Sequence, residues 1–124
     1  MSKKLIYVVD DDHLILKVMD EFLTSEGFGA KVTDDGYGVL VLCEKNVPDL
    51  IISDVKMPKL DGLSLLRKLK KKESTKDVPV VFISGYADQE FLEQAKELGA
   101  IYYLFKPFTN DDLRKIIAQV FADV

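Results

Sequence analysis

Residues 5–12 of the chain read LIYVVDDD, and this stretch determines how the rest is interpreted. Five β-favouring residues with no polar alternation predict a strand that is buried on both faces, as in a parallel sheet. The three aspartates end the strand. Similar apolar runs lie at residues 50–53 and 80–83, and each of them also meets a polar residue at its end. The chain therefore contains short buried strands whose carboxyl ends carry polar side chains.

Apolar residues recur at helical spacing between these strands. They predict five helices, around residues 15–23, 37–45, 63–69, 91–98 and 113–121. A weaker strand is predicted at residues 30–33, and the last strand at residues 101–105. Strict alternation with short connections implies an α/β fold of five βα units, in which helices cover both faces of a doubly wound, five-stranded parallel sheet. We expect the apolar stripe of every helix to be buried, including Val18 in the first. Thr109 or Asn110 is expected to cap the last helix.

The composition fits one globular domain that spans residues 1–124. Hydrophobic residues make up 48% of the chain and charged residues 31%, which argues against disorder. Cys43 is the one cysteine, so an internal disulfide framework and a zinc site with several thiolates are excluded. The net charge of −4 argues against direct binding of nucleic acid or of an anionic membrane. No apolar run approaches the roughly 18 residues of a membrane span, and we expect a cytoplasmic protein.

Polar side chains follow four of the five predicted strands. Asp10 to Asp12 follow the first strand, Asp54 the third, Ser84 the fourth and Lys106 the fifth. In open α/β sheets, ligands bind beyond the carboxyl ends of the strands, close to the point where the strand order reverses. If the sheet is doubly wound, these side chains therefore converge on one edge.

The convergence predicts a particular chemistry. Asp10, Asp11 and Asp54 together place three negative charges in one site, which raises pKa values unless cations are present. One Mg²⁺ and the ammonium of Lys106 supply three positive charges, and Mg²⁺ suits the site better than zinc because every ligand is oxygen. The hydroxyl of Ser84, beside a glycine, leaves room for a tetrahedral oxyanion. These groups together fit phosphoryl transfer to an aspartate.

At these residues the chain resembles the response-regulator receiver domains of two-component signalling, essentially along its whole length. The resemblance depends on four motifs in order, each behind a strand: Val8-Val9-Asp10-Asp11, Asp54-Val55-Lys56-Met57-Pro58 with Asp61-Gly62, Ser84-Gly85, and Lys106-Pro107-Phe108. It implies a flavodoxin-like sheet with the strand order 2-1-3-4-5. It also implies a phosphoprotein of signal transduction that works as a relay or a switch.

The resemblance implies a role for each matching residue of the acidic site. Asp54 is the expected phospho-acceptor. Asp11, Asp54 and the backbone carbonyl of Lys56 are the expected ligands of Mg²⁺, and Asp10 is expected to act through a bound water. Mn²⁺ is the alternative ion.

Three further residues match the family's switch. Lys106 is expected to pair with Asp54 and later with a phosphoryl oxygen, and Ser84 is expected to move toward the phosphoryl group and hydrogen-bond it. Tyr103 matches the aromatic residue that turns inward when family members are activated. The Lys106-Pro107 peptide bond is often cis in the family, which costs an X–Pro bond only about 0.5–1 kcal/mol.

The resemblance also implies partners. The phosphoryl donor is a histidine kinase or a histidine phosphotransfer protein. An effector protein is expected on the surface of the fourth helix, fifth strand and fifth helix, the face through which the family often dimerises. We expect no enzymatic activity beyond self-phosphorylation from small phosphodonors and self-dephosphorylation. Lys56 and Tyr86 occupy variable positions of the family, where a long cation and a bulky aromatic are expected to slow the loss of the phosphoryl group.

Three alternative functions stay open at this point. The first is a small phosphohydrolase with an aspartyl-phosphate intermediate, because residues 10–12 can be interpreted as an Asp-x-Asp pair. The second is a flavin-binding electron carrier, although three aspartates after the first strand would repel the flavin phosphate. The third is a receiver-like module that binds its partner without phosphorylation.

Three residues have simpler explanations than a role in the site. Asp12 is expected to be a helix cap or a solvated side chain, and His13, the sole histidine, a surface residue of the first helix. The phosphohistidine therefore belongs to a partner. Cys43 lies among apolar residues and is expected to be buried.

Overall fold

The computed structural model describes residues 3–85 and 89–124, apart from the side chain of Gln89. The described part contains alternating strands and helices. Their bounds are β1 Leu5–Val9, α1 His13–Ser25, β2 Gly29–Thr33, α2 Gly36–Lys45, β3 Leu50–Asp54, α3 Gly62–Lys70, β4 Val80–Ser84, α4 Gln89–Glu97, β5 Tyr102–Phe105 and α5 Asn110–Asp123. The predicted alternation of five strands with five helices is confirmed.

The strands form one parallel sheet in the order β2-β1-β3-β4-β5, as the resemblance implied. The order reverses beside β1, because β2 pairs on one of its sides and β3 on the other. Val9 is level with Ser53, and Asp54 with Ile83. Consequently, the residues that follow β1, β3 and β4 meet at one edge of the sheet, which we call the carboxyl edge.

Helices cover both faces of the sheet, and an apolar core lies under each layer. Ile6 and Val8 of β1 belong to the core under α1 and α5. Tyr7 and Val9 belong to the core under α2, α3 and α4. Successive side chains of a strand point to opposite faces, so a strand covered on both sides favours apolar residues at successive positions. This geometry accounts for the continuous apolar run that opens the chain.

Four helices begin at a capping side chain that accepts hydrogen bonds from backbone N–H groups of the first turn. The caps are Asp12 for α1, Asp35 for α2, Asp61 for α3 and Thr109 for α5. The prediction of Asp12 as a cap is confirmed, and Thr109 rather than Asn110 caps the last helix. Within residues 3–85 and 89–124, no helix has both the length and the apolar character needed to cross a membrane.

Two predictions about apolar residues are wrong. Ile101 was expected in the last strand, but β5 begins at Tyr102 and Ile101 is 67% exposed. A strand needs a partner as well as β-branched side chains, and pairing with β4 begins at Val81 opposite Tyr102. Val18 of α1 is 51% exposed, because the buried stripe of this helix runs through Leu16, Met19 and Leu23 instead.

Candidate functional site

Three carboxylates meet at the carboxyl edge of the sheet. Asp10 and Asp11 follow β1, and Asp54 ends the neighbouring strand β3. Each offers a carboxylate oxygen, and these oxygens all lie within 4.8 Å of one another. Asp10 is fully buried, Asp54 is mostly buried and Asp11 is exposed. The register of β1 and β3 therefore produces the acidic cluster that the motifs predicted.

The two carboxylate oxygens of Asp10 have different surroundings. Its Oδ1 accepts a hydrogen bond of 2.9 Å from the backbone N–H of Asp12. Its Oδ2 is buried and has no hydrogen-bond partner in the described part of the chain. Burial raises the pKa of Asp10 to about 6; the Asp12 N–H and the Lys106 charge oppose this rise, whereas the charges of Asp54 and Asp11 add to it. A cation beside Oδ2 would satisfy this carboxylate.

Lys106 brings a positive charge to the cluster. Its Nζ lies 3.9 Å from Asp10 Oδ2 and 3.9 Å from Asp54 Oδ1. Both distances exceed hydrogen-bond length, so the ammonium attracts the two carboxylates without closing the space between them. The Lys106 N–H donates to the Ser84 carbonyl at 2.9 Å, which fixes where the side chain leaves β5. The Lys106-Pro107 bond is cis, as expected.

Ser84 and Tyr103 lie at different places along their strands. Ser84 ends β4 and is buried, and its hydroxyl donates to the Gly85 carbonyl at 3.0 Å. It therefore reaches the same edge as Asp54. Tyr103 lies within β5 and its hydroxyl donates to the Ala100 carbonyl at 2.8 Å, while its ring stacks on Phe82. The inward turn of Tyr103 stays a prediction, and burial raises the pKa of its hydroxyl.

The loop between β3 and α3 holds the backbone of Asp54 tightly. Asp54 Oδ1 accepts the Val55 N–H at 2.8 Å, and the Gly62 N–H donates to the Val55 carbonyl at 2.9 Å. A Cβ atom on Gly62 would lie 2.6 Å from the Asp54 carbonyl oxygen, closer than real Cβ contacts come. Gly62 is therefore required for this close approach. The motif placed Gly62 in the loop but did not reveal its contact with Asp54.

The same loop contains a tight turn at Lys59. The Leu60 N–H donates to the Pro58 carbonyl at 2.8 Å, and Lys59 between them has a φ of +70°. This i→i+2 bond around a left-handed residue is a γ-turn, a strained conformation for a side chain other than glycine. Lys59 Nζ lies 3.8 Å from Asp35 Oδ2 at the start of α2. Sequence reasoning missed this turn, because a lysine gives no sign of a positive φ.

The structure describes only one of the two residues that are predicted to tune the lifetime of the phosphoryl group. Lys56 is exposed and lines a surface groove together with Asp61 and Phe91. Tyr86 lies outside the described residues. The backbone carbonyl of Lys56 as a metal ligand stays a prediction, as does the effect of either side chain on lifetime.

The residues present fit a divalent cation with a preference for oxygen. Three carboxylates supply oxygen atoms within 4.8 Å of one another, and the buried Asp10 Oδ2 has no hydrogen bond in the described part of the chain. Leaving a buried carboxylate oxygen without a partner is costly, so its place at the cluster favours a bound ion. Mg²⁺ takes one or two carboxylates and keeps several waters, which this arrangement allows.

A comparison with protein families identifies the family of the chain. The model described as the response regulator receiver domain matches residues 6–118. The chain belongs to this family. Phosphoryl acceptance is the standard function of the receiver domain, and receiver domains bind Mg²⁺ in the active site. They are signalling proteins that interact with histidine kinases or phosphotransfer proteins and with effector domains.

Two relatives show how receiver domains occur in longer and shorter proteins. The chain is 35% identical over 119 residues to the DNA-binding transcriptional regulator NtrC of Proteus hauseri, an alignment that covers 96% of this chain and 25% of NtrC. It is 29% identical to sporulation initiation phosphotransferase F of Bacillus subtilis, with 96% of this chain and 94% of that protein covered. The chain thus spans a quarter of the first relative and nearly all of the second.

A solved structure supports both the fold and the site. The receiver domain of the sensor histidine kinase PA1611 from Pseudomonas aeruginosa PAO1 matches with a TM-score of 0.87 at 27% identity. The match covers 98% of this chain and 99% of that chain, and that structure has a magnesium ion coordinated in its active-site cleft. The predicted receiver fold is therefore confirmed.

Proposed function

We propose that residues 1–124 act as one receiver domain that accepts a phosphoryl group on Asp54 from a phosphohistidine of a histidine kinase or a phosphotransfer protein. The observation that supports Asp54 most strongly is its position, since it ends β3 with its carboxylate in the acidic cluster and Lys106 Nζ at 3.9 Å. A carboxylate oxygen of Asp54 forms the new bond to phosphorus while the bond to the donor imidazole nitrogen breaks. The electron pair leaves with the imidazole.

The donor histidine belongs to a partner. His13 is the sole histidine of the chain, and its Nε2 lies 3.1 Å from Asp34 Oδ2 on the surface. The exposed pair lies between α1 and the start of α2 and not in the acidic cluster. Small phosphodonors such as acetyl phosphate can replace the partner, so self-phosphorylation and self-dephosphorylation are the proposed limit of the chain's own chemistry.

Asp11, Asp54 and the Lys56 carbonyl would hold Mg²⁺ directly, and Asp10 would hold it through a water. Mg²⁺ supplies positive charge that neutralises the phosphoryl oxygens during transfer, and Mn²⁺ is the proposed substitute. Asp10 contributes a buried oxygen that has no hydrogen bond to any described residue, and Asp11 contributes an exposed carboxylate. Lys106 adds a positive charge 3.9 Å from Asp10 Oδ2 and 3.9 Å from Asp54 Oδ1.

Phosphorylation changes the charge that these residues face. It replaces the single charge of Asp54 by about −1.5 to −2, spread over new acceptor oxygens. Lys106 follows those oxygens, and the hydroxyl of Ser84 turns from the Gly85 carbonyl to donate to one of them. The movement of Ser84 shifts the end of β4, and Tyr103 then turns inward. The surface of α4, β5 and α5 changes for an effector protein or a second copy of the chain.

Lys56 and Tyr86 set the lifetime of the phosphoryl group under this proposal. Lys56 is exposed two residues after Asp54, where its long side chain hinders an attacking water. We expect the double variant Lys56→Asn with Tyr86→Ala to lose the phosphoryl group faster than the wild type. The decay is measured by intact mass after the phosphodonor is removed. An unchanged decay rate would refute the assignment, while leaving phosphorylation of Asp54 itself intact.

The proposed function is tested by intact mass after incubation with acetyl phosphate and Mg²⁺. We expect one added phosphoryl group on the wild type and on Asp49→Asn, an aspartate outside the cluster that serves as the matched control. No adduct is expected on Asp54→Asn or when Mg²⁺ is removed by a chelator. A wild type that folds and binds Mg²⁺ but never gains mass, even from a phosphorylated partner, would contradict the proposal.

A further inference from the structure

Asp12 connects the start of α1 to the acidic site through two separate groups. Its side-chain Oδ1 accepts the Leu14 N–H at 2.9 Å and the Ile15 N–H at 3.4 Å, which caps the helix. Its own backbone N–H donates to Asp10 Oδ1 at 2.9 Å. One residue therefore fixes the first turn of the helix and holds a carboxylate of the site.

The orientation of the Asp10 carboxylate depends on this contact. Asp10 is fully buried, so its carboxylate can turn only by exchanging contacts within the site. Oδ1 is the oxygen that Asp12 holds, whereas Oδ2 has no hydrogen bond in the described part of the chain and lies 3.9 Å from Lys106 Nζ. As long as Asp12 stays in place, Oδ2 points toward the side where the other carboxylates and Lys106 meet.

We propose that Asp12 is a positioning residue for the Mg²⁺ site. Its side-chain cap fixes the backbone at the start of α1, and the fixed backbone N–H keeps Asp10 Oδ2 turned into the site. This inference rests on the proposed function, because it requires that Mg²⁺ binds at Asp10, Asp11 and Asp54. The effect runs through hydrogen-bond geometry, so it depends on the capping oxygen of Asp12 and not on the negative charge.

Variants of Asp12 separate the geometry from the charge. Asn and Ser cap helices about as well as Asp, whereas Ala does not cap. Loss of a group that hydrogen-bonds a metal ligand and orients it typically lowers the affinity for the metal by about 10- to 100-fold. Because Asp12→Ala loosens the backbone donor without removing it, we expect a loss at the lower end, about tenfold. Asp12→Asn and Asp12→Ser are expected to stay within about threefold of the wild type.

A matched control is available at the start of the next helix. Asp35 caps α2, and its Oδ1 accepts the Gly38 N–H at 3.0 Å. Asp35→Ala removes a cap from the same edge of the sheet without touching Asp10. We expect this variant to lose a similar amount of folding stability and to keep the wild-type affinity for Mg²⁺.

The experiment is a titration of the unphosphorylated chain with Mg²⁺ alone, followed by calorimetry, for the wild type and these four variants. Thermal unfolding in a chelator gives the loss of stability separately. Equal losses of affinity in Asp12→Ala, Asp12→Asn and Asp12→Ser would overturn the inference in favour of a simple charge effect. Wild-type affinity in a folded Asp12→Ala would overturn it as well, and so would an equal loss in Asp35→Ala.

A second measurement needs no variant and applies even if Asp12→Ala does not fold. Coupling between two sites is reciprocal, so Mg²⁺ must stabilise the cap if the cap assists Mg²⁺. We expect Mg²⁺ to slow hydrogen exchange at the amides of Leu14 and Ile15 more than at the amide of Gly38. Equal effects at the two helices would overturn the inference, whereas a wild type that binds no Mg²⁺ would overturn the proposed function itself.

Discussion

The polar side chains at the two edges of the sheet differ in how closely they approach their partners. At the amino edge, where the strands begin, the polar side chains that we describe have close partners. Asp49 Oδ2 accepts the Leu5 N–H at 2.7 Å, and the Thr75 hydroxyl donates to the Leu69 carbonyl at 2.7 Å. The Tyr7 hydroxyl donates to the Asn46 carbonyl at 2.5 Å below the end of α2. These hydrogen bonds satisfy backbone groups near the ends of strands and helices and stabilise the fold.

At the carboxyl edge, the ammonium of Lys106 and two carboxylates approach one another at more than hydrogen-bond length. Lys106 Nζ stays 3.9 Å from both Asp10 and Asp54, and Asp10 Oδ2 has no hydrogen bond in the part of the chain that is described. Burial of the Asp10 carboxylate, to which the charges of Asp54 and Asp11 add, destabilises this edge in the absence of a cation. The polar groups of the amino edge therefore stabilise the fold, whereas the charged groups of the carboxyl edge are available to bind a ligand.

The largest effect is expected when matched glycines at the two edges are replaced. A Cβ on Gly62 would meet the Asp54 carbonyl oxygen at 2.6 Å, whereas a Cβ on Gly29 at the amino edge would lie 3.5 Å from Leu5. We expect Gly62→Ala to lower the free energy of unfolding by about 3 kcal/mol. Gly29→Ala should change it by less than about 1 kcal/mol. Urea denaturation measures both values, and equal losses would show that the carboxyl edge is no more tightly packed.

A smaller effect of opposite sign is expected from the buried carboxylate. The pKa of Asp10 is raised to about 6 from an ordinary value of 3.8, so the folded chain binds this proton more tightly than the unfolded chain does. The stability that comes with the proton is lost as the pH rises through about 6. We therefore expect Asp10→Asn to raise the free energy of unfolding by about 2 kcal/mol at pH 7.5 in a chelator.

The pH dependence of this gain provides its control. At pH 5 most of the folded wild type already carries the proton, so the gain from Asp10→Asn should fall to about half. Urea denaturation at both pH values measures the difference. Saturating Mg²⁺ should reverse the order of stability, because the ion binds the folded wild type. A variant less stable than the wild type at both pH values in a chelator would contradict the cost assigned to the buried, ionised Asp10 carboxylate.

The smallest effect is expected from a polar group of the amino edge. Thr75 is buried, and its hydroxyl bonds the Leu69 carbonyl near the end of α3. Thr75→Val keeps the shape and removes the donor, so we expect a loss of about 1 kcal/mol in the free energy of unfolding. Affinity for Mg²⁺ and phosphorylation by acetyl phosphate should stay unchanged. A clear loss of either would mean that the two edges are coupled and not separate.

Several features of the fold could be predicted because they are local. The buried strands β1, β3 and β4 appear as mostly apolar runs, since a strand covered on both faces has few positions for a polar side chain. The edge strand β2 gave a weaker signal, because it is only partly covered and Val32 is 37% exposed. Asp12 was correctly predicted as a cap from its place before a helical pattern.

Other features could not be predicted, because they depend on what each residue meets in space. Ile101 has the side chain of a strand residue but lies outside the pairing with β4, which begins opposite Tyr102. Val18 fits the spacing of an apolar stripe, yet α1 turns it outward. The positive φ of Lys59 has no signature in the sequence, because it results from closing the loop between two fixed ends.

The family, the order of the elements and the aspartates of the acidic cluster follow from the sequence alone. These depend on residue types at short spacing, which a chain carries before it folds. Only the folded chain shows which oxygen of Asp10 has no hydrogen bond among the described residues, how far Lys106 stands from two carboxylates, and how closely Gly62 approaches Asp54. Those distances arise only when distant segments pack together, because strand register and loop closure set them to within an ångström.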